Sequence, residues 1–363
     1  MADAVLIPAD ALRDFVSAMF TASGCGQGES ARIAQYLTEA NLVGHDSHGV
    51  IRTPRYLAYL ADGLVRRDQR ITIVTDGPSF ALVDGNMGFG QTVTPQAVDF
   101  GIQKANEHGV AVIGLRNSGH LGRAGDWAER AVSAGLVSIH FVNVAGSQLV
   151  APFGGVDRRI STAPFSAGVP RPGQAPIILD FATSLVAEGK VLVAANGGKP
   201  LPQGALVSPD GVLSADPAIL YGPIHPGGFR DPRHGSGAIR AFGEHKGSGL
   251  AFLCEILAGA LTGGGMAGPA KPRAISNGML SVYLRPDRFA GETGMAALVD
   301  EYVTWWKSSR PVLPGGEVLI PGEVEARNRA HRLAHGVPLQ PDTWRDLLSV
   351  AERFNLSVPA QAA

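Results

Sequence analysis

Residues 44–60 read GHDSHGVIRTPRYLAYL, with His45 and His48 enclosing Asp46 and Ser47, and Arg52 four residues further on. Three kinds of chemistry fit these residue types. Imidazole titrates near neutrality and can pass a proton to a carbonyl oxygen or take it back. Arginine offers a planar, bidentate cation suited to a carboxylate. Two histidines at this spacing beside an acidic residue also match part of a zinc site. The plainer alternatives are a polar helix cap for the group and a surface salt bridge for Arg52.

A second histidine, His120, lies in GLRNSGHLGRAG (114–125), where a strand, a glycine-spaced loop and a helix follow one another. Backbone N–H groups at such a helix start can hold a phosphate or carboxylate, and the small neighbours of His120 leave its ring accessible. It is either a proton-transfer group or a turn residue. The glycine spacing at 119, 122 and 125 is not that of a Rossmann loop, and no acidic residue ends a second strand about twenty residues on. GGGMAG (263–268) does satisfy G-x-G-x-x-G but follows a helix, so the strand–turn–helix mechanics are missing. A nicotinamide nucleotide is therefore expected outside a standard Rossmann fold.

Lys246, with Glu244 just before it, precedes a long apolar helix. A lysine there opposes the helix dipole, so either a negative ligand pairs with it or it is a solvated turn residue. Asp180 ends the strand PIILD ahead of Phe181, Ala182, Thr183 and Ser184. It can cap a helix, orient a histidine or bind a ribose hydroxyl. Asn143, Gln148 and Ser161 are further polar residues at strand ends. His225, His234 and His245 form a loose second group, but the arginines of the 222–247 segment would repel a metal ion.

These residues must be positioned by the elements around them. ADALRDFVSAMFTASG places Leu12, Phe15, Val16, Met19 and Phe20 on one helical face, and GESARIAQYLTEANLVG repeats the pattern with Ile33, Leu37, Ala40 and Leu42. TPRYLAYLADGLVRR predicts a third helix with Thr53 as N-cap and Pro54 at its first position. The His48 stretch is then a loop between helices. From about residue 70, β-rich runs (RITIV, FALVDG, VAVIGL, VSIHFVNV, PIILDFA, MLSVYLRP) alternate with helical segments, which predicts an α/β or α+β domain. KGSGLAFLCEILAGAL (246–261) reads as a buried helix, apolar nearly all round. Helical patterns return after residue 295. We expect a helical domain over 1–72, a catalytic α/β domain over 73–295, and C-terminal helices over 296–363 returning to the first.

Charge balance excludes some functions. The chain carries 31 basic and 32 acidic residues, leaving no excess to attract nucleic acid. Cys25 and Cys254 are the only cysteines, too few for a cysteine-held zinc and more consistent with reduced thiols than with a disulfide. Asp3 and the lack of a long apolar core argue against a signal peptide. The most apolar window, 250–265, contains Glu255 and is too short to span a bilayer. A cytoplasmic protein without membrane segments is expected.

Several separated motifs, in order, resemble the type-2 malate/L-lactate dehydrogenase family: DSHGVIR (46–52), NSGHLGRAGDWAERA (117–131), APFGG (151–155), LDFATS (179–184), GKPLPQG (198–204), HKGSGLAFLCEILAGALTGG (245–264) and IPGEVE (320–325). The likeness is greatest to its hydroxycarboxylate dehydrogenase branch. It implies hydride exchange between NAD or NADP and a 2-oxo or 2-hydroxy acid. It also implies a non-Rossmann, mixed-sheet nucleotide domain packed on a helical one, and a homodimer with sites near the subunit interface. Carried over residue by residue, it implies His48 first and His120 second for proton transfer, with Asp180 also catalytic. Ser47, Arg52 and Tyr56 would contact substrate. Asn143, Asp180, Ala182, Thr183, Ser184, Lys246, Pro321, Gly322 and Glu323 would contact the nucleotide, and no metal is implied.

Two departures stand out. The family's G-T-N-P is Ser161-Thr162-Ala163-Pro164 here, so an amide is lost at Ala163. The 222–240 segment is longer and richer in Arg, His and Gly than usual, as a lid or a surface insertion would be. A metal-dependent hydrolase or lyase built on His45 and His48 is one alternative. A nucleotide-binding paralogue without catalysis, suggested by Ala163, is another.

Overall fold

The computed structural model describes residues 4–195, 199–223, 232, 234–268 and 276–361. Its first part runs β1 (Val5–Ile7), α1 (Ala9–Ala22), α2 (Gln27–Leu42), α3 (Thr53–Ala61), β2 (Thr72–Asp76), β3 (Phe80–Asp84), α4 (Gly90–His108), β4 (Val110–Ser118), α5 (Gly125–Ser133) and β5 (Val137–Ala145). The middle comprises β6 (Val150–Ala151), β7 (Pro164–Val169), β8 (Ile177–Ala182), α6 (Glu188–Ala195), β9 (Leu206–Val207), β10 (Leu213–Ser214), α7 (Ala218–Tyr221), β11 (Ala238–Arg240) and α8 (His245–Cys254). The chain closes with β12 (Ser276–Leu284), α9 (Asp287–Lys307), α10 (Glu323–His335), β13 (Val337–Leu339) and α11 (Pro341–Arg353).

The main sheet has seven strands in the order β2-β3-β4-β12-β5-β7-β8. Only β3 and β4 run parallel; the other neighbours are antiparallel. This is the mixed α/β architecture that the alternating strand and helix patterns predict. β12 enters late in the chain yet lies at the centre, between β4 and β5. Both of its faces are covered, which suits its almost continuous burial. A smaller sheet, β10-β9-β11-β6, sits beside α8.

The expected apolar face of α1 is buried, and so are Ile33, Leu37, Ala40 and Leu42 of α2. They share one apolar cluster with Tyr56 and Leu57 of α3 and with Val337, Leu339, Trp344, Leu347 and Ala351 from the far end of the chain. Pairing of β1 with β13 closes the same unit. The C-terminal helix α11 thus completes the core begun by α1 and α2, because neither end supplies enough apolar surface by itself. The expected boundary between 295 and 296 falls within α9.

Two local expectations are corrected. The first turn of α3 is not capped by Thr53, which lies inside the helix with a buried, unpartnered hydroxyl; Arg52, in helical conformation, precedes it. The reason is that two 3₁₀ turns, Asp46–His48 and Val50–Arg52, run straight into α3, so the chain never reaches the extended conformation of an N-cap. The helix over 246–261 is not buried all round either. It passes from α8 into a π-helical turn, Glu255–Ala260, and leaves Phe252 and Leu261 62% and 65% exposed.

Leu347 has no solvent exposure. Leu347→Ala is expected to destabilise the protein by about 2–5 kcal/mol, the usual cost of emptying a buried leucine site. Urea unfolding followed through the aromatic residues of α1 checks this. An unshifted midpoint would mean that α11 does not belong to the N-terminal core.

Candidate active site

The two 3₁₀ turns are held from behind. Asn41 of α2 accepts the Val50 N–H at 2.8 Å and donates to Asp46 at 2.6 Å. A Cβ on Gly49 would lie 2.1 Å from the Asn41 side-chain oxygen, so this approach needs glycine. Arg332 of α10 donates to both oxygens of Asp46, at 2.6 and 3.1 Å. His45 lies 3.4 Å from Glu325 through Nε2 and 3.8 Å from Asp180 through Nδ1. Asp46 and His45 therefore brace the loop. Among the described residues no three His, Cys, Asp or Glu side chains are grouped as a metal ion would require. His225 lies outside the described residues, as does much of the 222–240 segment.

His48 and His120, 72 positions apart in sequence, stack with ring centroids 5.6 Å apart and 10° between planes. His48 Nδ1 is 3.1 Å from the Ser47 hydroxyl. His120 Nδ1 is 2.5 Å from the Tyr56 hydroxyl, which also accepts a 3.2 Å bond from Gln91 Nε2. A phenol oxygen that accepts from Gln91 is free to donate its O–H to Nδ1, and in that arrangement the His120 proton sits on Nε2. Tyr56 thus spends its hydroxyl on His120. Gln91 is a site residue that the sequence reading missed; nothing in MGFGQTVTP distinguishes it, and only packing of α4 onto the His120 loop brings it in. That packing is tight: a Cβ on Gly90 would lie 2.2 Å from the His120 carbonyl oxygen. Asn277 of β12 pins the same loop by accepting the Leu121 N–H at 2.9 Å.

Arg52 donates through Nε to the Ser47 carbonyl at 2.6 Å, which aims the guanidinium along the loop. Among the described residues no carboxylate lies within ion-pair distance of it. This charge acts on both rings. Burial first, and then the Arg52 and Arg55 charges, push His120 down to about 3. Burial, His120 and Arg52 hold His48 well below the usual imidazole range. Both residues are only partly buried. Burial raises Tyr56 to about 12, so it remains a neutral donor.

The residues expected near a nucleotide divide into two groups. Asp180 accepts the Gly125 N–H at 2.8 Å at the start of α5, where a carboxylate favours the helix dipole, and touches neither stacked ring. Thr183 donates to the carbonyls of Thr162 and Ala163, Ser184 donates to Val186, and the buried Asn143 binds Glu255, Gly265 and Gly278. The side chains of Asn143, Thr183 and Ser184 are thus engaged within the protein. Ala182 is half-buried at the end of β8, and Lys246 is exposed in the first turn of α8. Pro321 accepts from Ile178 of β8 at 3.4 Å, and Glu323 pairs with Lys307 and caps Ile320. The 321–323 loop and the start of α8 therefore meet β8 near its two ends: a Cβ on Gly322 would lie 3.2 Å from Ile178 N, and one on Gly247 2.9 Å from Thr183 O. A cavity of about 340 Å³, lined in part by Phe153, Gly154, Arg240 and Glu244, opens beside the turn that carries Lys246.

The mixed-sheet α/β fold thus brings two imidazoles held below their usual range to a guanidinium that no described carboxylate pairs. Comparison with known proteins identifies the family. The sequence profile of the malate/L-lactate dehydrogenase family matches residues 7–348, and the chain belongs to that family. It is 37% identical to hydroxycarboxylate dehydrogenase B of Escherichia coli O157:H7, over 96% of this chain and 94% of that one. It is 35% identical to L-lactate dehydrogenase of Cupriavidus necator, over 90% and 91%. The structure of sulfolactate dehydrogenase from Methanocaldococcus jannaschii superposes with a TM-score of 0.83 at 30% identity, covering 98% of each chain. The protein is a 2-hydroxy acid dehydrogenase, and neither the metal-dependent nor the inactive alternative finds support in these relatives.

The depressed imidazoles make a pH prediction. His140 is fully buried between the hydroxyls of Ser138 and Ser281, and burial takes it to about 3, like His120. In the unfolded chain such groups bind a proton near 6.5. Below that pH the unfolded state holds more protons than the native one, so these groups withdraw stability as pH falls from about 6.5 toward 3. Imidazole ¹⁵N spectra at about pH 5.5 should show neutral rings for His120 and His140. A protonated His120 there would contradict the described electrostatics.

Proposed function

We propose that the chain interconverts a 2-oxo acid and its 2-hydroxy acid with NAD or NADP, using His48 to move the proton and Arg52 to hold the carboxylate. The observation that carries this reading is the stacked His48–His120 pair beside a guanidinium that no described carboxylate cancels. A substrate carboxylate on Arg52 would supply the missing charge and remove the repulsion that keeps both imidazoles neutral. His48 would then take up a proton for delivery to the carbonyl oxygen, or accept one from the hydroxyl in reverse. His120, held as the Nε2–H tautomer by Tyr56 and Gln91, would donate to the same oxygen and polarise it.

Residues along β8 fit a dinucleotide: Ala182 at the strand end, Lys246 as a cation at a helix start with no ion-pair partner among the described residues, and the 321–323 loop against Ile178. A bound nicotinamide nucleotide would supply the hydride acceptor or donor. Asp180 would support this region from beneath, through Gly125 and His45. The exposed apolar face of α8 favours a homodimer, checked by sedimentation equilibrium of the full chain.

An assay that follows reduced nicotinamide, with each nucleotide against a panel of 2-oxo acids, tests the reaction. Arg52→Ala is expected to lower kcat/KM on the order of 10²-fold, chiefly through KM, as loss of one partner of a charged pair does. His48→Asn should lower kcat by about 10²–10⁴-fold, the usual worth of a positioned acid or base, with nucleotide binding retained. His120→Asn should cost less. The opposite ranking would assign the proton to His120.

A further inference from the structure

A carboxylate outside the motifs above lies beside this site. The first turn of α6 packs directly on the 3₁₀ turn that carries His48: a Cβ on Gly189 would lie 2.5 Å from the Ser47 Cβ. Glu188, the preceding residue, is half-buried at that contact. Its Oε1 accepts a 2.6 Å bond from the hydroxyl of Tyr221, which is itself almost fully buried at the end of α7. Tyr221 also lies near enough to Arg55 and Arg52 for their charges to act on it, after burial and Glu188. Among the described residues Glu188 forms no ion pair with either arginine. It is an anion with one oxygen engaged and the other able to accept a further hydrogen bond.

We propose that Glu188, oriented by Tyr221, is a specificity-determining residue that selects 2-oxo and 2-hydroxy acids whose far end is a neutral hydroxyl donor and disfavours those with a second anionic group. The inference rests on the reading of Arg52 as the carboxylate ligand and deepens it. A substrate held there by its carboxylate turns its other end toward the remaining walls of the site, of which the Ser47–Gly189 contact is one. A distal hydroxyl can donate to Glu188 as the Tyr221 hydroxyl does, a bond to a charged acceptor. A distal carboxylate or sulfonate would meet a like charge in a partly buried setting. Repulsion of two such charges about 6–12 Å apart is worth about ten- to a hundredfold in discrimination at an effective dielectric of about 20. Arg55 offsets part of this repulsion, reduced by its exposure to water.

The test compares kcat/KM for pyruvate, hydroxypyruvate and oxaloacetate in the wild type, Glu188→Gln and Tyr221→Phe, with thermal unfolding to verify folding. Glu188→Gln should raise the oxaloacetate-to-pyruvate ratio about tenfold and lower the hydroxypyruvate-to-pyruvate ratio, because the charge is lost while the shape is kept. Tyr221→Phe keeps the charge and frees the carboxylate, so it should lower only the hydroxypyruvate preference, with the oxaloacetate ratio unmoved. Folded variants with wild-type ratios for all three substrates would overturn the role of Glu188 and leave the Arg52 reading intact. Failure of the wild type to turn over any 2-oxo acid with either nucleotide would overturn both. If Glu188→Gln does not fold, Glu188→Asp, which keeps the charge but withdraws it by one methylene, should still reject oxaloacetate while losing hydroxypyruvate; equal retention of both ratios would count against the proposal.

Discussion

The guanidinium of Arg52 lies close enough to the stacked imidazoles of His48 and His120 for its charge to act on both, and it has no described carboxylate to neutralise it. A cation in a half-buried position is costly unless something completes it, and the surrounding residues are arranged so that the protein does not. Acidic side chains of this region have other partners: Asp46 has Arg332 and Asn41, Asp180 the start of α5, and Glu188 has Tyr221. The Arg52 charge, added to burial, keeps His120 and His48 neutral until an anion arrives. Substrate binding and proton affinity are thereby linked through a single side chain.

Holding that charge in place requires parts of the chain that are far apart in sequence. The His48 turns are gripped by α2 through Asn41 and by α10 through Arg332 and Glu325. The His120 loop is gripped by α4 through Gly90 and Gln91 and by β12 through Asn277. Both loops are therefore fixed by rigid elements, although the catalytic side chains themselves sit on short turns. Ala163 shows what this tightness costs. It is fully buried with φ at +30°, a conformation that asparagine or glycine adopts more cheaply, and the backbone is secured there by Thr183 and Ser161. Alanine at this position keeps the turn but brings no amide to it.

Much of the fold was legible because local periodicity reports burial directly. The apolar faces of α1 and α2 and the strands β3, β4 and β5 follow from the spacing of Leu, Ile, Val and Phe, since each of these faces has one covered side. The pattern failed where burial depends on partners remote in sequence. The apolar run over 246–261 reads as buried all round, yet Phe252 and Leu261 face outward, because hydrophobicity does not distinguish a core from an interface. Thr53 has the composition of a cap, but the preceding 3₁₀ turns carry the chain into α3 without the extended residue that a cap needs. Asn143 has a side chain suited to a ligand, and three internal partners in this fold.

For the site, the sequence by itself determined which groups are available for the proposed chemistry: His48 with Ser47 and Arg52 in one stretch, His120 in another, and Lys246 at a helix start. Their types limit what they can do, since only imidazole titrates near neutrality and only a fixed cation suits a carboxylate. Tertiary structure alone decided that His48 and His120 stack, that the Tyr56 hydroxyl meets both His120 and Gln91, and that Glu188 stands beside the His48 turn. Those relations depend on separations of a few ångströms between residues 29 to 140 positions apart, such as Gln91 and His120 or His48 and Glu188, which the sequence permits but does not select. The physical reason is that hydrogen bonds and charges act over short distances in space, whereas the sequence records distance along the chain.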